Sequence, residues 1–258
     1  HKKFEVIIYD SNLKKLENLK KSKVDFFEPG IEKYLRHNQK RITVTNDLSS
    51  LKKCNLIYIA MDTPTDKKNI SNFNIVKNLI NKVIENISKN SVLVVLSQAY
   101  PGFTEKIKWK KSQLFYQVET LIFGKAMKRA IFPEQIIIGK SSNNNQVALN
   151  LLNSFIKKFT KNIKFMDYKS SELSKIAINL YLSSSITYAN EMSYLCEKIG
   201  ADWRNIQEIL RKDKRIGPFS YLMPGLGILS GNLQRDLVTS KKIFKQNKTD
   251  SSLIENFL

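Results

Sequence analysis

Through the first half of the chain, short apolar runs alternate with stretches of helical spacing, and that rhythm confines the polypeptide to few architectures. The runs lie at residues 4–9 (FEVIIY), 42–45 (ITVT), 56–61 (LIYIAM), 91–96 (SVLVVL) and 114–118 (LFYQV), with a less regular one at 135–139 (QIIIG). Between two of them, residues 73–87 place Ile75, Val76, Leu79, Ile80, Val83 and Ile84 at helical spacing, one apolar stripe suited to packing on a sheet. Strands separated by helices form parallel βα units, so the expectation is an α/β fold with a Rossmann-like, doubly wound parallel sheet. Sheets of that kind bind ligands beyond the C-terminal ends of their strands, so chemistry is sought just after each apolar run.

After Asp167 the pattern changes. Residues 170–199 contain neither proline nor glycine, and a helix of that length would run roughly 45 Å. Ser170 or Ser171 could cap it, with Glu172 in its first turn and Gly200 at its end. A second helix is expected at 202–211, and residues 215–231 (RIGPFSYLMPGLGILSG), with four glycines and two prolines, exclude regular helix and suggest a loop that a ligand approaches closely. The expected organisation is an α/β domain over 1–168 followed by an all-α domain over 169–258.

Composition removes several function classes. With 258 residues, 42% of them hydrophobic, the chain can bury a substantial core. No apolar run is long enough to span a bilayer and no signal-peptide pattern opens the chain, so a cytoplasmic protein without membrane contact is expected. His1 and His37 are the only histidines, and Cys54 and Cys196 lie in apolar stretches without metal-ligand spacing. Neither a metal site nor a histidine-based triad is expected, and the cysteines read as buried small residues rather than a disulfide. The formal net charge of +20 invites a nucleic-acid reading. Lysines are spread along the whole chain, however, as at Lys2, Lys14, Lys77, Lys157 and Lys241. A solvated basic surface, attractive to anionic nucleotides, is the preferred reading, with no nucleic-acid partner.

Asp10 ends the first apolar run. In a dinucleotide fold an acid there accepts hydrogen bonds from the adenosine ribose and favours NAD over NADP. Alternatively, it caps the helix that follows. The next strand ends, MDTPT (61–65) and LSQAYPGFT (96–104), are turn-forming and hydroxyl-bearing, as ordinary βα loops also are. They gain meaning beside a distant set of motifs: ELSKIAINLYL (172–182), YANEMSYLCEKIGAD (188–202), DKRIG (213–217) and PGLGILSGNLQRDL (224–237), together with FEPGIEKYL (27–35), VETLIFGKAM (118–127) and PEQIIIGK (133–140). In order and spacing the chain resembles the UDP-glucose/GDP-mannose dehydrogenase family over nearly its entire length.

The resemblance implies NAD-dependent oxidation of the C6 hydroxyl of a nucleotide-activated hexose, UDP-glucose being the commonest substrate, to the uronic acid. It also implies a homodimer built on the 170–199 helix, a GxGxxG strand before Asp10 and a further nucleotide-binding domain after Leu258. That first strand would lie in the middle of the sheet, so a chain starting at His1 needs a rearranged sheet or further residues. Catalytic positions carried over are Glu119 (acid/base), Lys175 and Asn179 (oxyanion stabilisation), Asn232 and Asp236 (positioning or deprotonating water). Lys175 and Asn179, four residues apart, would share a helix face. They could instead be a solvated lysine and a surface asparagine, but Ile176, Ala177 and Leu180 beside them argue for a largely buried helix. Cofactor contacts are implied for Asp10, Lys15, Thr63, Ser97, Gln98 and Arg235, and substrate contacts for Leu121, Arg215, Tyr221, Gly225 and Gly227. Arg215 would reach into the neighbouring subunit, or else form a surface salt bridge with Asp213.

One departure matters most. The family's glycine loop ends in a nucleophilic cysteine, and here that position is Asn232. An amide nitrogen, its lone pair delocalised, cannot form a thiohemiacetal or thioester. Other departures are Val118 for proline, Arg235 for lysine, Gln98 for threonine, Phe123 for glutamate, and Leu229 and Ser230 for glycines. Three outcomes stay open: second oxidation through a hydrate of the aldehyde, which is preferred; a single oxidation or another redox change; or a relative that binds NAD and nucleotide sugar without turnover.

Overall fold

The structure, a computed structural model, describes residues 4–227 and 231–257, and the side chains at 231 and 232 lie outside the described part. Two compact units form, the first from the chain up to Thr63 with Phe73–Leu173, the second from Pro64–Asn72 with Ser174 onward.

The first unit contains strands β1 (Val6–Tyr9), β2 (Ile42–Thr45), β3 (Leu56–Ile59), β4 (Val92–Val95), β5 (Leu114–Gln117), β6 (Ile136–Lys140) and β7 (Ile163–Met166). Helices α1 (Leu13–Lys20), α2 (Ile31–Asn38), α3 (Phe73–Asn86), α4 (Ala126–Ile131) and α5 (Gln146–Ile156) connect them. β1 pairs in parallel with β2, and β3-β4-β5-β6-β7 form a second sheet in that order. β4 is buried along its whole length, which is why its sequence is continuously apolar rather than alternating. Its residues serve two cores in turn. Leu93 and Val95 pack with Val76, Ile80 and Val83 of α3 on one face, while Val92 and Val94 pack with Ala148, Leu152 and Ile156 of α5 on the other. Each such side chain contributes about 1.5–3 kcal/mol on burial.

Chain order runs β2, β1 in one direction and β3, β4, β5 in the other, and hydrogen bonding is interrupted between the two sets. Ile7 and Tyr9 of β1 nonetheless pack against the core that holds Ile57 and Ile59 of β3. Among the described residues the two sheets are thus joined by apolar packing rather than by ladder hydrogen bonds.

All six expected strands are present, the 135–139 run among them. The parallel expectation holds for β1 with β2, β3 with β4 and β4 with β5, but β5 and β6 pair antiparallel. β7 is an addition to the sequence reading; Lys164 breaks its apolar residues, and no continuous apolar run marks it.

The long helix α6 spans Tyr168–Ile199 and begins before the expected serine caps, because the Asp167 carboxylate accepts the Ser170 amide at 2.9 Å and the Ser170 hydroxyl at 2.6 Å. Its first turn crosses β6 where only glycine fits: a Cβ on Gly139 would lie 2.0 Å from Ser171 Oγ.

In the second unit α6 continues from Ser174, followed by α7 (Trp203–Lys212), α8 (Gly231–Gln246) and α9 (Ser252–Glu255). Asp202 caps α7 by accepting the Arg204 amide at 2.8 Å. Trp203 is buried with Ala189, Cys196 and Leu222, and its indole N–H donates to the Leu222 carbonyl at 3.0 Å. α6 buries one face only, through Ile176, Asn179, Ser183, Ile186 and Ala189 at three- and four-residue spacing.

Candidate functional site

In the first unit, Asp10 stands at the tip of β1, where one carboxylate oxygen accepts the Asn12 amide at 2.8 Å. The alternative reading of Asp10 as a helix cap does not hold: Asn12 caps α1, its side chain accepting the Lys15 amide at 3.2 Å. Lys15 itself is exposed in the first turn of α1. Beyond β3 and β4 the two hydroxyl-bearing loops are fastened together. Thr63 donates to the Gln98 carbonyl at 2.7 Å and Ser97 to the Met61 carbonyl at 2.6 Å, both side chains being buried. These hydroxyl protons serve the backbone, so what the pair can offer a ligand is oxygen lone pairs and a fixed loop shape.

Glu119 follows β5, and its carboxylate accepts the amide of Leu121, which is half-exposed. Two further acids support these loops and were assigned no role from sequence. Glu28, buried at 7% exposure, accepts the amides of Gly124 at 2.9 Å and Met127 at 3.0 Å. Glu172, with no exposed surface, accepts the amides of Gly102 at 2.5 Å and Thr104 at 2.7 Å. Burial pushes the Glu172 carboxyl up from the usual glutamate range.

In the second unit the buried Asn179 amide donates to a carboxylate oxygen of Asp236, and Arg235 Nε lies 3.5 Å from the other oxygen. Arg235 and Asp236 are themselves buried, at 4% and 1% exposure. The Ser183 hydroxyl donates to the Asn179 carbonyl at 2.9 Å and the Ser240 hydroxyl to the Asp236 carbonyl at 2.6 Å, bracing the two helices locally. Lys175 is half-buried one turn before Asn179. The expectation of a largely buried helix here is corrected: Ile176 is buried, but Ala177 and Ile178 face solvent, because α6 presents one inner face rather than a buried cylinder.

The glycine loop is fixed by a residue that sequence reasoning passed over. Asn190 accepts the Gly225 amide at 2.8 Å and donates to the Leu226 carbonyl at 2.9 Å, a two-way clamp on backbone that has no regular partner. Gly225 has φ +84°, a left-handed conformation that explains the glycine. Tyr221 and Gly227 are accessible on the same loop. Arg215 is exposed and paired with Asp213, Nη2 to carboxylate at 2.6 Å, the salt bridge foreseen as its alternative. That pairing holds the Asp213 carboxyl below its usual range. Asn232 lies in the first turn of α8, and its side chain falls outside the described residues.

Both cysteines are free. Burial raises the Cys54 thiol above its usual range, which opposes thiolate formation, and Cys196 is packed beside Trp203. A cavity of about 210 Å³ lies among Ile8, Leu19, Leu35, Ile42 and Val44 and includes none of the site positions. Among the described residues no helix is long and apolar enough to cross a membrane.

The first unit thus presents an α/β sheet with an acid at the tip of β1, and the second a buried amide–carboxylate–guanidinium cluster. Residues 1–159 match the NAD binding domain of the UDP-glucose/GDP-mannose dehydrogenase family and residues 169–258 its central domain. The chain belongs to this family. A UDP-glucose 6-dehydrogenase of Rickettsia bellii is 28% identical over 97% of the chain and 59% of its own length. YwqF, a UDP-glucose 6-dehydrogenase of Bacillus subtilis, is 24% identical over 96% of the chain and 62% of its own length. In structure, a UDP-glucose dehydrogenase from Pyrobaculum islandicum superposes with a TM-score of 0.87 at 24% identity, covering 98% of this chain and 61% of that one. The chain thus spans about three fifths of the length of these relatives.

NAD is the cofactor implied by the matched domain. The residues present fit it chemically: the carboxylate of Asp10 at the end of β1 suits ribose hydroxyls, and the fastened loops after β3 and β4 offer hydroxyl oxygens at the C-terminal ends of their strands.

Proposed function

We propose that the chain carries out NAD-dependent oxidation of the C6 hydroxyl of a nucleotide-activated hexose of the UDP-glucose type to the uronic acid. The observation that carries this reading is the buried cluster of Asn179, Asp236 and Arg235, which spends three polar groups in a helical interior where apolar packing would be more stable. Asp10 would bind the adenosine ribose, with Lys15 on the same helix start and Thr63, Ser97 and Gln98 along the β3 and β4 loops. NAD, when bound, would supply the hydride acceptor, one molecule for each of the two oxidations. Lys175 and Asn179 supply a cation and an N–H donor to the oxygen that gains charge as the alcohol loses its proton. Glu119 or Asp236 takes that proton, and Asp236 orients the water that hydrates the aldehyde before the second oxidation. Substrate contacts are assigned by the resemblance to Leu121 in the first unit and to Tyr221, Gly225 and Gly227 in the second. Arg215 would complete it from a second copy, exchanging its pairing with Asp213 for the substrate. A homodimer through α6 fits the apolar side chains that this helix leaves accessible, Tyr181, Tyr194 and Ile199 among them.

Asn232 favours a second reading, a relative that stops after one oxidation or only binds its ligands. NADH formed per nucleotide sugar consumed separates the readings: two for the proposed reaction, one for an aldehyde product, none for a binding protein. Asn232→Cys is expected to accelerate the second hydride transfer, since it restores a covalent route. An unchanged second step would remove the assignment of that position.

A further inference from the structure

We propose that Glu172 is a positioning residue: its carboxylate holds the far end of the loop that follows β4, and so sets Ser97 and Gln98 at the border of the cofactor crevice. This rests on the reading of that crevice as an NAD site.

The loop is fastened twice. At its start, Ser97 and Thr63 tie residues 97–98 to the neighbouring loop, through 2.6 and 2.7 Å hydrogen bonds. At its end, the two carboxylate oxygens of Glu172 each accept one backbone amide, from Gly102 and Thr104, across 70 and 68 residues of sequence. Between these points the loop presses Tyr100 and Phe103 onto Phe73, ring centroids 4.9 and 6.1 Å apart, so a shift at one end is transmitted along a packed segment.

Glu172 is an expensive way to make this connection. It is fully buried, and the charged group acting on it is a second carboxylate, Glu105, which is itself paired with Lys169 at 3.2 Å. Lys111 is turned elsewhere, onto the Ile107 carbonyl at 2.7 Å. Burial opposes the ionised form, as the raised carboxyl shows. An ion without a cation in such a place is a poor source of stability. What it supplies is a rigid, two-pronged acceptor for amides that open a turn, where Gly102 takes φ +87°.

The test compares the full chain with Glu172→Gln and Glu172→Leu by NAD and UDP-glucose calorimetry, thermal unfolding, and hydrogen exchange at the Gly102 and Thr104 amides. The expected result is faster exchange at both amides and NAD binding weakened at least tenfold by Leu and less by Gln, which keeps one acceptor oxygen. UDP-glucose affinity should stay within about twofold, and the unfolding midpoint of the Leu variant should be no lower than that of the parent. Unchanged NAD affinity despite faster exchange overturns the inference, as does unchanged exchange. Equal loss of both ligands with a lowered midpoint also overturns it, since that reports a merely structural role. A parent chain that binds no NAD overturns the functional reading and this inference with it.

Discussion

At the scale of single residues, acids do two different kinds of work here. Asp236 is ringed by groups of matching chemistry, an amide donor and a guanidinium, whereas Glu172 and Glu28 hold backbone amides with no cation paired to them among the described residues. The difference shows in pH dependence. Burial raises the folded-state carboxyl of Glu172 above its unfolded value, so the folded chain binds that proton more tightly. Its contribution to stability is therefore full below the ordinary glutamate range and is lost as pH climbs from that range through the raised value. Glu172→Gln, neutral throughout, should flatten this segment of the stability profile in urea unfolding series stepped from acid to neutral pH; a profile parallel to the parent's would show that the group does not titrate as described. The family resemblance exposed Asn179 and Asp236, through the motifs ELSKIAINLYL and PGLGILSGNLQRDL. It did not expose Glu172, Glu28 or Asn190 as supports, since the amides they hold lie between 35 and 99 residues away and no periodicity links such partners.

At the scale of elements, the strands that stand out most plainly in the sequence are the most buried ones, although the partly exposed β1 and β2 were legible too. Val92–Val95 and Leu114–Gln117 read as apolar runs because both sheet faces are covered. β7 did not, since Lys164 interrupts its apolar residues and two of its four positions are exposed, and the antiparallel pairing of β6 depends on how the connection closes rather than on side chains. The crossing of α6 over β6 is the element contact with the least slack. Gly139→Ala would set a methyl 2.0 Å from Ser171 Oγ, 3.0 Å from Ser171 Cβ and 3.2 Å from Tyr116 Cβ. Two of those atoms are Cβ atoms fixed by backbone, so the strand or the helix must shift, at a cost of about 1–3 kcal/mol. Thermal unfolding should show that loss. Ser171→Gly in the same chain should recover much of it, beyond its own helix penalty of about 1 kcal/mol, and failure of the pair to couple would mean that the strain lies elsewhere.

At the scale of the whole molecule, the formal charge of +20 gives two readings with different salt laws. If the surface existed to bind nucleic acid, neutralising several phosphates would release their condensed counterions, and affinity would fall by roughly a thousandfold or more between 50 and 200 mM salt. A dinucleotide carries no such ion sheath, so its binding should weaken far less over that interval, the positive field acting mainly on the rate of encounter. The chain is therefore expected to retain NAD at 200 mM salt while losing filter-bound duplex DNA almost entirely, and saturating NAD should not compete for what DNA remains at low salt. Tight DNA binding that survives the higher salt and is displaced by NAD would place nucleic acid in the crevice itself. The charge would then be a recognition feature rather than the solvated surface that lysines spread from Lys14 to Lys242 describe.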